Sequence, residues 1–511
     1  MQITVLGESL VRLCRPAPEC LDRCERSISI KGEAEPMRPP VLANPERAVD
    51  NPTGDREEMA HLLRRAGFGA SADELDCYLA AGYAETVEAL LTPRQETATY
   101  GCYEDQDLVD RYFTASVGAR SPEHAWPQWM WRLLTTTQPL QEKMALFWHG
   151  LFATGPKYPV PCSALLDQIE MFRHRGMGSF EELLRCVSRD PAMLFWLDNP
   201  SNHKDTPNEN YARELLELFT MGVGNYTEAD VKAAARAFTG WGVTPMMPQF
   251  FLGTFPGSFV YDDSDHDSGD KTFLGHAGAF NGDDVIAIIV RQPATARFIC
   301  ERLYRFFVAD EPDESGRAAI AKLAVVFKDT AGDLRSVLRA IFMSDHFRSE
   351  QVRYRKVKSP VELMVGTARL TGRWALPTND VAELARNAHF MGQSLLNPPS
   401  VEGWHEGEEW IDSAGLIERI NCASAEIARP EAPGVARILE RVVDAARRES
   451  FSLLDACLEA MGSLRLSAGT RRVLADRLTG SPLLPDNPEA VREHTLELLR
   501  VIVSTPDYQY C

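Results

Sequence analysis

No run of about eighteen apolar residues occurs anywhere in the chain, so nothing in it reads as a transmembrane helix. The first residues, MQITVLGESLVRLCRPAPECLDRC, do not bring a basic start, an apolar run and a small-residue cleavage site in that order. Taken as written, the sequence therefore points to the cytoplasm. The 11 cysteines include no pair spaced by two residues, the signature of zinc and redox motifs, and their odd number argues against a full disulfide framework. A reducing compartment fits. Also missing is any interleaving of glycine with aromatics. With a net charge of −19, nucleic acid and anionic membranes are poor partners. There is no Gly-x-Ser-x-Gly elbow. Gly67 with Gly69 and Gly222 with Gly224 are isolated pairs, too short for a phosphate loop.

What is present is helical period. Hydrophobic residues make up 44% and charged residues 25% of 511 residues, ordinary for a globular protein with ample core. The 3.6 spacing predicts helices over 128–137, 140–152, 162–175 and 179–188. It returns at 283–290, 293–308, 316–328, 333–343, 359–372, 380–391 and 413–428, and four more helices fill the last eighty residues. Residues 243–275 and 395–413 break the pattern with prolines, glycines and aromatics. The expected fold class is mainly α, a large multi-helix globular body with a short β-hairpin or irregular insert near 245–275. Residues 1–55, proline-rich and aperiodic, are expected to be a poorly ordered N-terminal tail. Residues 56–430 should form the helical domain, with order beginning near Met59, and 431–511 a C-terminal helical extension packed on it.

The densest concentration of polar groups lies between 196 and 242. Thr206, Pro207 and Glu209 read as N-cap, N1 and N3 of a helix ended by Gly222, and Thr227 with Asp230 repeats the capping box for a second helix. Ser71 and Glu74 form another. The loop before the first helix carries Asn199, Asn202, Lys204 and Asn208, more hydrogen-bonding capacity than a connector needs, followed by Asn210 in the first turn.

Several stretches together resemble one bacterial family. LRRAGFG (63–69), FWHGLFATG (147–155), LDNPSNHKDTPNENYARELLELFTMGVGNYTEADV (197–231), HDSGDKTFLG (266–275), KSPVELMVGT (358–367) and PPSVEGWHEGEEW (398–410) are similar to the family called domain of unknown function 1800. The likeness covers about residues 58–428. It implies no established biochemistry. Family members are often exported, so the compartment becomes an exported one if the chain's true start lies elsewhere. They are also often encoded beside sulfatase-like proteins, which makes such a protein the partner the resemblance points to. Leu151, Ser400 and Glu406 stand where the family tends to have histidine, asparagine and glycine, and the first of these weakens a His-x-His metal site.

The residues themselves leave several chemistries open. Asp263, Asp265 and Asp267 alternate like the start of an EF-hand, but glycine falls at loop position 7 and Leu274 at position 12, so that motif is rejected. A looser hard-cation site stands beside the reading as a solvated acidic turn. No nucleotide or zinc motif is present, and the cofactor is left unknown. Glu209 or His266 is the candidate acid/base, with Arg213 or Lys271 as electrostatic stabiliser and Asp267 orienting the histidine. Glu209, Arg213 and Glu217 equally make an ion-pair ladder along a helix face. His149 reads as a half-buried histidine near a helix C-terminus or as a site member. Trp241, Trp404 and Trp410 read as flat walls of a carbohydrate-type site or as core plugs. The loop 198–208, the helix face of Glu209 and Arg213, and the HDSGDK loop are expected to converge on one concave site. Two functions follow: a hydrolase or lyase acting on a polar, glycan-like polymer, or a non-catalytic binding or assembly partner of the sulfatase-like protein, with the polar cluster purely structural.

Overall fold

A computed structural model describes residues 52–92, 121–157, 160–244, 248–249, 253–254, 257–374, 378–448, 451–479 and 487–511. The expected tail lies outside the described residues up to position 51. The first helix among the described residues, α1 (Pro52–Arg65), already begins ahead of Met59.

Helices dominate. After α1 come α2 (Ala72–Ala81), α3 (Tyr83–Leu91), α4 (Trp126–Thr135), α5 (Pro139–Leu151), α6 (Cys162–Arg175), α7 (Phe180–Ser188), α8 (Pro191–Trp196), α9 (Asn210–Glu217) and α10 (Glu228–Ala237). Past an insert of short strands follow α11 (Gly282–Val290), α12 (Pro293–Phe307), α13 (Glu314–Asp329), α14 (Leu334–Phe342), α15 (Asp345–Arg348), α16 (Pro360–Thr371), α17 (Asp380–Phe390) and α18 (Ser413–Ile427). The last four are α19 (Pro433–Ala445), α20 (Leu453–Ala460), α21 (Ala468–Thr479) and α22 (Pro488–Val503). The fold is mainly α, as the periodicity predicts. The side-chain caps expected from sequence form at Ser71 and Thr227, each a reciprocal capping box with the acid three residues on.

The insert is three two-stranded antiparallel ribbons among the described residues. β1 (Trp241–Val243) pairs with β4 (Phe259–Tyr261), β2 (Pro248–Gln249) with β3 (Gly253–Thr254), and β5 (Lys271–Phe273) with β6 (His276–Gly278). Strands of two or three residues bury little by themselves. They hold because Phe273 and Trp241 reach into the core, at 0% and 4% exposure.

Among the described residues the buried apolar side chains gather in two cores. The first is rich in aromatics: Trp148 stacks on Phe152, and Phe152 on Phe172, with ring centroids 5.3 and 6.1 Å apart. The second is built by α19, α20 and α22, closed from the other side by Leu363 of α16 and by Ala423 and Ile427 of α18. Helix α5 shows why the first core forms here. Every residue from Leu140 to His149 is buried, and a helix buried nearly all round has no solvent face to offer.

Candidate functional site

Of the asparagines in the 198–208 loop, Asn199 and Asn202 are buried and Asn208 is half-buried, and each is bonded to backbone. Asn199, 1% exposed, donates from Nδ2 to the Trp241 carbonyl at 2.8 Å. Asn202, 3% exposed, donates to the Ala235 carbonyl at 2.9 Å and accepts from the Asn208 N–H at 2.9 Å. Asn208 in turn accepts the Asn210 N–H at 3.0 Å, and Asn210 Nδ2 donates to the Leu197 carbonyl at 3.1 Å. This corrects one expectation. The helix does not start with a box at Thr206; α9 begins at Asn210, and Glu209 is an N-cap without a side-chain bond. An amide both donates and accepts, so the loop satisfies its own backbone while tying itself to α10 and β1, which a local box cannot do.

One predicted segment, the 198–208 loop, meets the turn just ahead of the second, the HDSGDK loop, at Ser264 and Asp265. His203 Nδ1 lies 2.6 Å from Asp265 Oδ2, the Lys204 N–H donates to Asp265 Oδ1 at 3.2 Å, and Lys204 Nζ donates to the Ser264 carbonyl at 2.7 Å. His203 holds the Asp265 carboxyl below its ordinary range. Within the second segment, Arg236 grips Asp267 through Nε at 2.6 Å and Nη2 at 3.1 Å, and this keeps the carboxyl low as well. Lys271, 2% exposed, gives its ammonium to the carbonyls of Asp267 and Gly269, and burial lowers its pKa. His266 Nδ1 is 3.0 Å from the Thr239 carbonyl, and its ring lies edge-on to Tyr261. Glu209 and Arg213 are bonded elsewhere: Arg213 reaches Glu209 at 3.1 Å and clamps both oxygens of Glu228 at 2.8 Å, at the start of α10. The three aspartates are used separately: Asp263 accepts from Tyr261, Asp265 faces His203, and Asp267 faces Arg236. No group of three metal-type donors comes together among the described residues.

The aromatic candidates sit inward. Trp241 packs edge-on to Phe238 and Phe259, under the Arg189 guanidinium. Trp404 donates to the Ser394 carbonyl at 3.0 Å and lies against Gly150 and His149. Trp410 is 6% exposed. His149 is fully buried rather than half-buried, between Trp129 and Trp404, with neither ring nitrogen hydrogen-bonded; burial pushes its pKa down to about 3.

Sequence reasoning missed a second cluster. Glu362, 7% exposed, is shared by Lys143 and, at 3.8 Å, by Arg65, both fully buried. Opposing burial, Lys143, Arg65 and Lys356 bring its carboxyl down to about 2. The signal was present in α5: a helix buried on all sides cannot leave Glu142 and Lys143 in water, so each needs an opposite charge. Arg173 supplies it for Glu142.

The model of one family, described as Protein of unknown function (DUF1800), matches residues 61–510. The chain belongs to that family. No curated protein and no solved structure matches it. The family match extends past residue 428, the limit suggested by the motifs, and takes in α19 to α22. No helix among the described residues is long and apolar enough to cross a membrane.

Proposed function

We propose that this DUF1800 protein works by binding a partner, and that its 198–271 unit is a structural clasp rather than a catalytic centre. One observation carries this reading. The candidate acids, bases and amides of the unit are engaged with one another or with backbone: Asp267 with Arg236, Lys271 with two carbonyls, Arg213 with Glu209 and Glu228, Asn199 and Asn202 with helix and strand carbonyls. A general base has to keep a lone pair within reach of substrate, and groups held this way have little left to offer. The partner class implied by the family resemblance, a sulfatase-like protein encoded nearby, is the first candidate.

Co-purification of the tagged full chain from its native host tests this. Expected is a stoichiometric protein partner, still captured by Glu209→Gln and His266→Asn, while Asn202→Ala melts lower. Truncating Asn202 orphans the Asn208 N–H, at about 1–3 kcal/mol for an unsatisfied group, and leaves the Ala235 carbonyl only the Phe238 N–H at 3.2 Å. If instead a panel of polar polymers is cleaved, and Glu209→Gln or His266→Asn abolishes cleavage at an unchanged melting temperature, the protein is an enzyme.

A second reading, a hydrolase or lyase acting on a glycan-like polymer, is favoured by one feature. His203 is about half exposed and its partner Asp265 is 30% exposed, so an oriented imidazole faces solvent with Lys204 beside it. His203→Gln at unchanged stability is the variant that separates this reading from the first.

A further inference from the structure

Two of the family-like stretches take no part in the clasp, and both line one cavity. Arg64 and Phe68 come from LRRAGFG, and Lys358, Glu362 and Thr367 from KSPVELMVGT; Tyr508 closes the far wall. Glycines set how close the walls stand. A Cβ on Gly366 would lie 2.8 Å from the Phe68 carbonyl, and one on Gly462, at φ +88, 2.1 Å from that of Ala70. The free space is about 60 Å³. That is room for roughly four to six water molecules, the size of a four- or five-atom group.

Charge around this cavity does not balance. Arg64 has only the Ser463 carbonyl, at 3.4 Å, and the Tyr354 ring. Lys358 donates to the Tyr508 carbonyl at 2.7 Å and sits 4.0 Å from that residue's ring centroid. Arg369 donates to the carbonyls of Leu134 and Thr136. Arg419, fully buried and bonded to the Lys358 carbonyl, leaves Nη1 without a partner. Among the described residues none of these four cations has a carboxylate within ion-pair distance, although the chain carries a net charge of −19. Glu362 is already shared by Lys143 and Arg65, and Glu74 caps α2 through Ser71. Burial lowers the pKa of the Lys358 ammonium to about 8, with Cys511 and Glu362 opposing and Arg64 and Arg419 adding to it.

We propose that this cavity binds a small oxyanion, the phosphate, sulfate or carboxylate group of a ligand, with Lys358 and Arg64 as its charged contacts. An anion of that size fills the free space and supplies the charge that the lining cations Arg64, Lys358 and Arg369 lack. About half of the wall is apolar, Phe68 and Leu363 included, and this strengthens the attraction. This does not depend on the clasp reading, because none of the lining residues belongs to the 198–271 unit.

Titrating the full-length protein with inorganic phosphate, sulfate or acetate, each against sodium chloride at equal ionic strength, tests the site. Expected is saturable calorimetric binding and a melting temperature raised by a few degrees beyond the chloride control. The ranking of the three anions identifies which group the site takes. Lys358→Met and Arg64→Met should each weaken binding by about tenfold or more, while Lys358→Arg stays within a few-fold of wild type. Affinity should also fall as pH rises through about 8, where Lys358 loses its charge. Arg64 is only half-buried, so its variant keeps the test open should Lys358→Met fold poorly. Equal response to all three anions and to chloride, or unchanged affinity in both methionine variants, overturns the proposal.

Discussion

His149 ends α5 with its ring between Trp129 and Trp404, centroids 5.4 and 5.2 Å away, and both nitrogens unbonded. A protonated imidazole there would be a buried, unpaired charge, so the folded state holds the ring neutral down to about pH 3. Unfolded histidine titrates near 6.5. Below about 6.5 the unfolded chain takes up a proton that the folded chain refuses, and stability falls by up to about 1.4 kcal/mol per pH unit until about pH 3. Above 6.5 the residue contributes no slope. Asp190 acts the other way: burial raises its carboxyl to about 7, so the stability it gives is present at low pH and lost as pH rises through about 7. The two windows overlap, and a difference measurement separates them. In denaturant titrations between pH 5 and 6.5, His149→Phe should make the slope of stability against pH more negative by up to about one proton, leaving the Asp190 contribution uncompensated. An unchanged dependence would mean that solvent or a hidden partner reaches the wild-type ring.

At the scale of elements, legibility in the sequence followed the partner's location. Helix α14 was readable because its partner is the core as a whole: Leu334, Val337, Leu338, Ile341 and Phe342 are buried at helical spacing, and Asp333 caps through the Ser336 N–H at 2.9 Å. Leu338→Ala should cost about 2–5 kcal/mol. Arg339 on the outer face pairs with the exposed Glu88, and its loss should cost about 1 kcal/mol or less. Chemical denaturation of the two variants gives both numbers, and similar costs would contradict the helix's orientation. The six-residue α8 went unread, since six residues are too few to display a 3.6 period. The asparagine ties were half legible. An excess of polar groups showed that loop 198–208 must bond to something, yet the acceptor of Asn202 is Ala235, 33 positions on, in a run of alanines with nothing to mark it. The Lys143–Glu362 pair was half legible in the same way: α5 shows that Lys143 needs an opposite charge, but Glu362 stands 219 positions on with nothing to mark it.

The two cores raise a question for the molecule as a whole, whether α19 to α22 are an appendage or part of the body. Helix α16 argues for the body, because its neighbouring residues face different cores: Val361, Met364 and Val365 belong to the first and Leu363 to the second. Removing residues 431–511 would strip one side of α16 and of α18, exposing Leu363, Ala423 and Ile427. Polar ties point the same way. The Lys358 N–H donates to the Gln509 carbonyl at 2.8 Å, the Cys511 N–H to the Lys356 carbonyl at 2.9 Å, and Arg419 Nε to Gln509 Oε1 at 2.8 Å. Arg419 is the most exacting of these, since a fully buried guanidinium deprived of Gln509 keeps only the Lys358 carbonyl. The chain cut after residue 430 should therefore bind hydrophobic dye, lose its cooperative melt and aggregate. Gln509→Ala, a far smaller change, should already cost about 1.5–3 kcal/mol, the loss of a buried hydrogen bond to a charged group. A truncated protein melting cooperatively within a few degrees of full length would instead make the C-terminal helices a separable domain. The buried Arg419 would then have to find water or another acceptor at the exposed face of α18.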